Sequence, residues 1–241
     1  APTPRPPRYD DAWVRDLAPS QIERYAAILR RLTTPFLEPE SGRARVACEV
    51  LSTQPRPLEE VVQALGIGRF RVTQKADPDD ASDVYRSERA APDDWVMVGT
   101  HDTPSLWELA DTWVGAERGA REARALGARL RASDREVRAL ATDPRSLVHA
   151  KMAEAFASPA QNVIVFFADH FGVRTRFNTP GTVGPHNWRA RAPSSRATHA
   201  ELDLRAVLHL ALRMRGLDRG PEAQALAAET RPQARLPSDP G

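Results

Sequence analysis

Residues 95–107 read WVMVGTHDTPSLW and contain the pattern that decides the fold. The apolar run 96–98 ends in Gly-Thr, and His101 and Asp102 follow at once. A short, continuous apolar run is typical of a strand that is buried on both faces. In parallel α/β folds, the side chains that do chemistry stand at the carboxyl ends of such strands. The stretch therefore predicts a buried strand with two polar site residues at its end.

Outward from this stretch, apolar runs alternate with segments of helical periodicity. The periodicity predicts helices over 16–37, 57–68, about 104–157 and 199–216, and strands over 44–51, 69–74, 95–100 and 162–169. Continuously apolar strands that alternate with helices predict a parallel sheet with helices packed on it. The chain is therefore predicted to be an α/β protein. Four βα units make half of a (β/α)8 barrel or a small open sheet, and the pattern alone does not separate the two.

The two ends of the chain differ in composition from its middle. Residues 1–15 form a proline-rich lead-in, 16–216 are expected to form the domain, and 217–241 are expected to be a flexible tail. Ser20 and Glu23 fit a capping box at the start of the first helix.

Composition excludes several classes of protein. The chain has 241 residues, of which 41% are hydrophobic and 27% charged, with a formal net charge of +2, which suits a soluble globular fold. Its many arginines alternate with acidic residues at helical spacing, which favours a solvated helix face over a nucleic-acid surface. The single Cys48 excludes a disulfide framework. No apolar run reaches the ~20 residues of a membrane span and residues 1–11 lack a signal-peptide core, so we expect a cytoplasmic location without membrane contact.

Polar residues recur where each predicted strand ends. They are Glu49 on the first strand, Gln74 and Lys75 on the second, His101 and Asp102 on the third, and Asp169 and His170 on the fourth. Any one of them alone is more often a helix cap or a loop ion pair, but several at equivalent positions would face one rim. Two carboxylates there, Glu49 and Asp102, suggest general acid/base chemistry or a charge-stabilised transition state.

Other catalytic constellations fit poorly. His101, Asp102, Asp169 and His170 offer metal-ligand chemistry, but no ligand spacing supports a site, so we expect no metal. The chain also lacks the G-x-S-x-G of hydrolases and the G-x-G-x-x-G of dinucleotide sites.

The loop 177–188, FNTPGTVGPHNW, combines amide and hydroxyl groups with an aromatic ring. Carbohydrate sites favour this mixture, because a sugar ring has an apolar face and a polar rim. The alternative is a structural loop in which Pro180 and Gly181 make a turn and Trp188 packs into the core. The residues themselves leave both possibilities open.

Four segments, in order, resemble motifs of the 4-α-glucanotransferases (amylomaltases or disproportionating enzymes), glycoside hydrolase family 77. They are ACEVLSTQPRPLEEVV (47–62), GRFRVTQK (68–75), VGTHDT (98–103) and RFNTPGTVGPHNW (176–188). Glu49 stands where the family has its acid/base glutamate, although Val50 and Ser52 replace the usual Asp and Gly.

The resemblance implies a retaining transglycosylase that acts on α-1,4-glucans and malto-oligosaccharides on a (β/α)8 barrel without a cofactor. By position, Glu49 would be the general acid/base and Asp102 the carboxylate that favours the distorted, oxocarbenium-like sugar. The sugar-binding residues would be His101, Asn178, Pro180, Asn187 and Trp188.

One family element is missing. The family's nucleophilic aspartate lies in an Arg-x-Asp-His stretch on the strand before the glutamate, and this chain has no such strand. Arg8-x-Asp10 matches superficially, but prolines precede it and no apolar run leads into it. We therefore expect the chain to be the C-terminal half of the barrel, incomplete alone, with the N-terminal half upstream or on another chain. The alternatives are a non-catalytic α-glucan-binding module and an arginine-rich interaction protein.

Overall fold

A computed structural model describes residues 18–36, 46–49, 56–191 and 201–228. Four parallel strands form one sheet in chain order: β1 (Ala47–Cys48), β2 (Gly68–Val72), β3 (Trp95–Met97) and β4 (Asn162–Ile164). The register pairs Val72 with Met97 and Met97 with Ile164. The predicted parallel sheet is confirmed.

Nine helices lie in the described part of the chain. They are α1 (Pro19–Thr33), α2 (Arg56–Ala64), α3 (Leu106–Trp113), α4 (Glu117–Leu130), α5 (Asp134–Thr142), α6 (Pro144–Phe156), α7 (Phe167–His170), α8 (Leu204–Met214) and α9 (Pro221–Ala228). The helical region predicted over 104–157 is thus four helices. Gly115, with φ of 76°, ends the first, and Ser133 and Asp143 cap the starts of α5 and α6. None of the described helices is long and apolar enough to cross a membrane.

The helices of the main core cover one face of the sheet. Val96 and Val98 of the third strand segment are buried in a cluster with residues of α3, α4, α6 and α8. Val163 of β4 packs against the same cluster. Met97 and Ile164 alternate with these valines along their strands and so face the opposite side. Helices on one face and apolar side chains on the other are what the wall of a (β/α)8 barrel requires.

A buried ion-pair network joins α4 to α6. Lys151 lies 3.1 Å from Glu122 and 2.8 Å from Glu154, and its side chain is 3% exposed. Burial acts to lower the pKa of Lys151, but the two carboxylates outweigh it and the pKa is raised. Arg118 and Arg129 pair with the same two glutamates. The arginines of α4 therefore serve ion pairs, as their helical spacing predicts.

The first helix begins elsewhere than predicted. Ala18 is its N-cap residue, Pro19 is its first helical residue, and the Ala18 N–H donates to Gln21 Oε1 at 2.9 Å. The capping box predicted for Ser20 and Glu23 is therefore wrong. Proline suits the first helical position because its φ is already helical and no N–H is needed there.

Two further differences lie towards the C-terminus. The strand predicted over 162–169 ends at Ile164, and the chain turns into α7, which contains Asp169 and His170. The expected flexible tail, 217–241, contains helix α9, which packs against α8, while 229–241 lie outside the described residues. The proline-rich lead-in, 1–15, also lies outside them.

Candidate active site

A tight turn after β3 presents His101 and Asp102. Thr103 Oγ1 donates to the Thr100 carbonyl at 2.9 Å and accepts from the Thr100 N–H at 2.8 Å. The Asp102 N–H donates to Thr100 Oγ1 at 3.2 Å. Gly99 allows this closeness, because a Cβ there would lie 2.8 Å from Thr103 Oγ1. The two threonines thus fix the backbone that carries the predicted site residues.

Asp102 is held from two sides and remains reachable. Asn178 Nδ2 donates to Asp102 Oδ1 at 2.6 Å, and His101 Nε2 lies 3.3 Å from the same oxygen. The Asn178 N–H also donates to the His101 carbonyl at 3.1 Å. The Asp102 side chain is 28% exposed, and its Oδ2 has no partner in the described part of the chain. This second oxygen is available to accept hydrogen bonds from a ligand.

Trp188 places an aromatic face next to these polar groups. Its ring lies 4.9 Å from the His101 ring at an interplanar angle of 42°, and it is 59% exposed. Its backbone has φ of 62°, which is uncommon for a bulky residue, and its N–H donates to the Phe177 carbonyl at 2.7 Å. The alternative in which Trp188 packs into the core is therefore wrong.

Asn187 and Pro180 belong to the loop that carries Trp188. The Asn187 side chain accepts from the Thr179 N–H at 3.1 Å and donates to the Thr182 carbonyl at 2.9 Å. The Asn187 amide therefore braces the loop in this structure. Pro180 is exposed on its surface.

Glu49 follows β1 directly and is exposed. β2 lies between β1 and β3. Its register aligns Cys48 with Arg69 and Phe70 with Trp95, so Glu49 is level with the start of β3, whereas Asp102 lies beyond the end of β3. Each carboxylate follows a strand of the same sheet, and their meeting at one rim stays a prediction.

The remaining residues predicted at the rim lie elsewhere or are engaged. Gln74 is buried and packs against Gly99, and Lys75 Nζ lies 5.9 Å from the Tyr85 ring centroid. Asp169 is 0% exposed, and burial raises its pKa to about 7 against the opposing hydrogen bond from Leu106. Its predicted place at the rim is wrong, because α7 turns it into the interior. Among the described residues, no three His, Cys, Asp or Glu side chains group to hold a metal ion.

Sequence reasoning missed the residues that hold the site together. Thr100 and Thr103 carry a readable signal, since Ser and Thr hydroxyls commonly bond the backbone of short turns. Phe177 carries none, because its role depends on a backbone contact to Trp188 across the loop.

The chain thus forms part of a parallel barrel wall, with acid, imidazole, amide and indole groups on the segments that follow its strands. The profile of the glycoside hydrolase 77 family, described as 4-alpha-glucanotransferase, matches residues 10–197. The chain belongs to this family.

Two solved structures are similar to the chain. The amylomaltase from Streptococcus agalactiae in complex with acarbose has a TM-score of 0.54 and 16% identity, covering 85% of this chain and 36% of that one. The amylomaltase from Corynebacterium glutamicum has a TM-score of 0.46 and 17% identity, covering 73% of this chain and 29% of that one. The first likeness confirms the fold, and the chain spans about a third of the length of these enzymes. No curated protein sequence matches the chain significantly.

Proposed function

We propose that this chain forms the acid/base side of a 4-α-glucanotransferase active site, which transfers α-1,4-glucan segments to glucose or another glucan with retention. Family membership supports the reaction class. The observation that carries the assignment to this rim is the Asp102 carboxylate, held by His101 and Asn178 with Oδ2 open, beside the exposed face of Trp188.

Glu49 is the general acid/base. Its exposed position after β1 lets it reach a glycosidic oxygen bound over the sheet's carboxyl end. It protonates the leaving glycosidic oxygen, then takes the proton of the incoming sugar hydroxyl. The acceptor is a glucose or glucan hydroxyl in transfer and a water molecule in hydrolysis.

Asp102 stabilises the positive charge that develops on the sugar ring in the transition state. Its Oδ2 accepts hydrogen bonds from sugar hydroxyls, and its negative charge favours the oxocarbenium-like transition state. His101 is 47% exposed beside it and donates to the same sugar. Trp188 stacks on an apolar sugar face, and Asn178 and Pro180 line the groove. Asn187 contributes by bracing the loop that holds Trp188.

The nucleophile lies on the N-terminal half of the barrel. Retention needs a second carboxylate about 5–5.5 Å from the acid/base. In the family that carboxylate is an aspartate in an Arg-x-Asp-His stretch on the strand before the glutamate. Asp10 lies outside the described residues. No metal or organic cofactor takes part in this acid/base and nucleophile chemistry.

Two features support a missing half. Within the described residues, β1 pairs only with β2 and β4 only with β3, which leaves two open sheet edges. Helix α1 and the 3-10 turn after it, Thr34–Phe36, expose an apolar stripe whose residues are 53–65% exposed: Tyr25, Ile28, Leu32 and Phe36. Preceding βα units would cover both the edge of β1 and this stripe.

Maltotriose disproportionation, followed by glucose release, tests the function. The assay compares this chain with a protein extended upstream by four βα units, and with Glu49→Gln and Asp102→Asn in the longer form. Glu117→Gln and Asp134→Asn, at exposed positions on α4 and α5, are the matched controls. We expect activity only in the longer protein and its controls. Activity of the longer protein that survives Glu49→Gln would refute the role of Glu49.

The second candidate is a non-catalytic α-glucan-binding module, which the exposed Trp188 face also suits. If this candidate is right, both this chain and the longer protein should bind amylose, and neither should release glucose from maltotriose. A third class, an arginine-rich interaction protein, would instead show binding that weakens steeply with salt. The cytoplasmic location stays a prediction.

A further inference from the structure

A buried carboxylate joins two elements that are distant in sequence. Asp169 Oδ1 in α7 accepts from the Leu106 N–H at the start of α3 at 2.6 Å. The Asp169 carbonyl accepts from Trp107 Nε1 at 2.7 Å. We refer to these contacts of Asp169 with Leu106 and Trp107 as the Asp169 clamp. The proposed chemistry makes no use of it.

The clamp joins the two helices next to the loops that form the candidate site. The turn that carries Asp102 leads directly into α3, and the loop that carries Asn178 and Trp188 follows α7. In the described part of the chain, the tips of the two loops meet through Asn178 with His101 and Asp102, and through Trp188 with His101. The separation of α3 and α7 therefore sets whether these tips meet.

A second link reinforces the same junction. Arg174 Nε donates to Asp111 Oδ2 of α3 at 2.6 Å, and its guanidinium lies 5.1 Å from the centroid of the Trp107 ring. These side chains are partly exposed, so solvent weakens the ion pair. Asp169, which is fully buried, is the stronger constraint.

We propose that Asp169 is a positioning residue for glucan binding: through Leu106 and Trp107 it holds the two loops at the distance at which Asn178 meets Asp102. This inference rests on the proposed function, because the ligand is the α-glucan of the same site. It adds a residue that touches neither the glucan nor the reacting groups.

The clamp is also sensitive to pH. Asp169 Oδ2 is buried and has no hydrogen-bond partner among the residues that the structure describes, and burial raises the pKa of Asp169 to about 7. The charged or titratable side chains on the adjoining elements are Glu108, Asp111, His170, Arg174 and Glu201. Of these, Arg174 and Asp111 pair with each other.

Ionisation of Asp169 opens the clamp. A carboxyl exposed to water has a lower pKa than the buried one, so raising the pH favours states in which Asp169 is exposed. Glucan affinity should then fall as the pH rises through about 7. Asp169→Asn mimics the protonated acid, keeps the acceptor for Leu106 and cannot ionise.

Calorimetric titration with maltoheptaose at pH 6 and pH 8 tests the proposal on the full chain. The wild type should bind more weakly at pH 8, and Asp169→Asn should bind equally at both values. Asp169→Ala, checked for folding by circular dichroism, should lose about tenfold or more at both, because the Leu106 donor loses its acceptor. Asp134→Asn, on exposed α5, is the matched control and should behave as the wild type.

The outcomes distinguish a failure of the clamp proposal from a failure of the proposed glucan site. Folded Asp169→Ala with wild-type affinity, or an unchanged pH dependence in Asp169→Asn, overturns the clamp. If the wild type binds no maltoheptaose at either pH, the proposed glucan site fails. The clamp is then judged by NMR: the Trp107 indole and Asn178 amide signals should titrate near pH 7 in the wild type only, and their constancy refutes it.

Discussion

Asp169→Asn should abolish a large part of the pH dependence of stability. The folded protein holds the Asp169 proton up to a pKa of about 7, whereas the reference value for an exposed aspartate is 3.8. Between these values the folded state binds more protons than the unfolded state, so stability is lost as the pH rises. A shift of about 3 units at 1.36 kcal/mol per unit amounts to ~4 kcal/mol. Because Asp169 is 0% exposed, solvent screening removes little of this difference.

Urea unfolding at pH 5, 6, 7 and 8 measures the effect. The free energy of unfolding of Asp169→Asn, relative to the wild type, should increase by ~2.6 kcal/mol from pH 5 to pH 8, because about two of the roughly three pH units between the two pKa values fall within this range. Other titrating groups cancel in this difference, and Asp134→Asn provides the control for a lost carboxylate. A difference that stays constant within about 1 kcal/mol would show that Asp169 is not held in a buried, protonatable state.

Three more predictions concern other parts of the fold. His149 Nε2 accepts a hydrogen bond from the Asp203 N–H at 3.3 Å, and burial lowers the pKa of His149. As the pH falls, the unfolded state therefore binds a proton at His149 before the folded state does. Thermal stability should fall as the pH drops below about 6.5, and it should fall less in His149→Gln. Lys151→Met removes the cation that Glu122 and Glu154 share and leaves each with its arginine alone, so it should lower the free energy of unfolding by about 2 kcal/mol. An unchanged urea midpoint would mean that Lys151 adds no stability to the network. Gly99→Ala places a Cβ 2.7 Å from Gln74 Nε2, so it should lower the free energy of unfolding by about 1–3 kcal/mol and weaken maltoheptaose binding. In Gly184→Ala the added Cβ meets no atom within 4 Å, so neither stability nor binding should change.

The parallel sheet was predictable because its strands are continuous apolar runs separated by helical periodicity. Whether this sheet is a barrel wall or an open sheet could not be predicted from the sequence, because it depends on which face of β3 meets the helices. Val96 and Met97 are both apolar, and only packing shows that they face opposite sides.

Tertiary contacts explain why the strand predicted over 162–169 ends early, at Ile164. Residues 165–167, Val-Phe-Phe, favour a strand, yet a helix follows because Asp169 bonds the start of α3. The sequence placed Asp102 and Asn178 at one rim through the resemblance. Their hydrogen bond joins residues far apart in the chain, and no local pattern encodes it. The catalytic and binding roles of these residues stay predictions.

The most direct test of the account is whether an α-glucan binds at the rim formed by Asp102, Asn178 and Trp188. Maltoheptaose titrated into the isotopically labelled chain at pH 6 should shift the Asn178 side-chain amide and the Trp188 indole N–H. It should leave the Trp113 indole, on the helical side, unmoved. Assignments come from Asn178→Asp and Trp188→Phe. If the ligand moves neither rim signal at millimolar concentration, or moves only signals elsewhere, the rim is not a glucan site and the account is wrong.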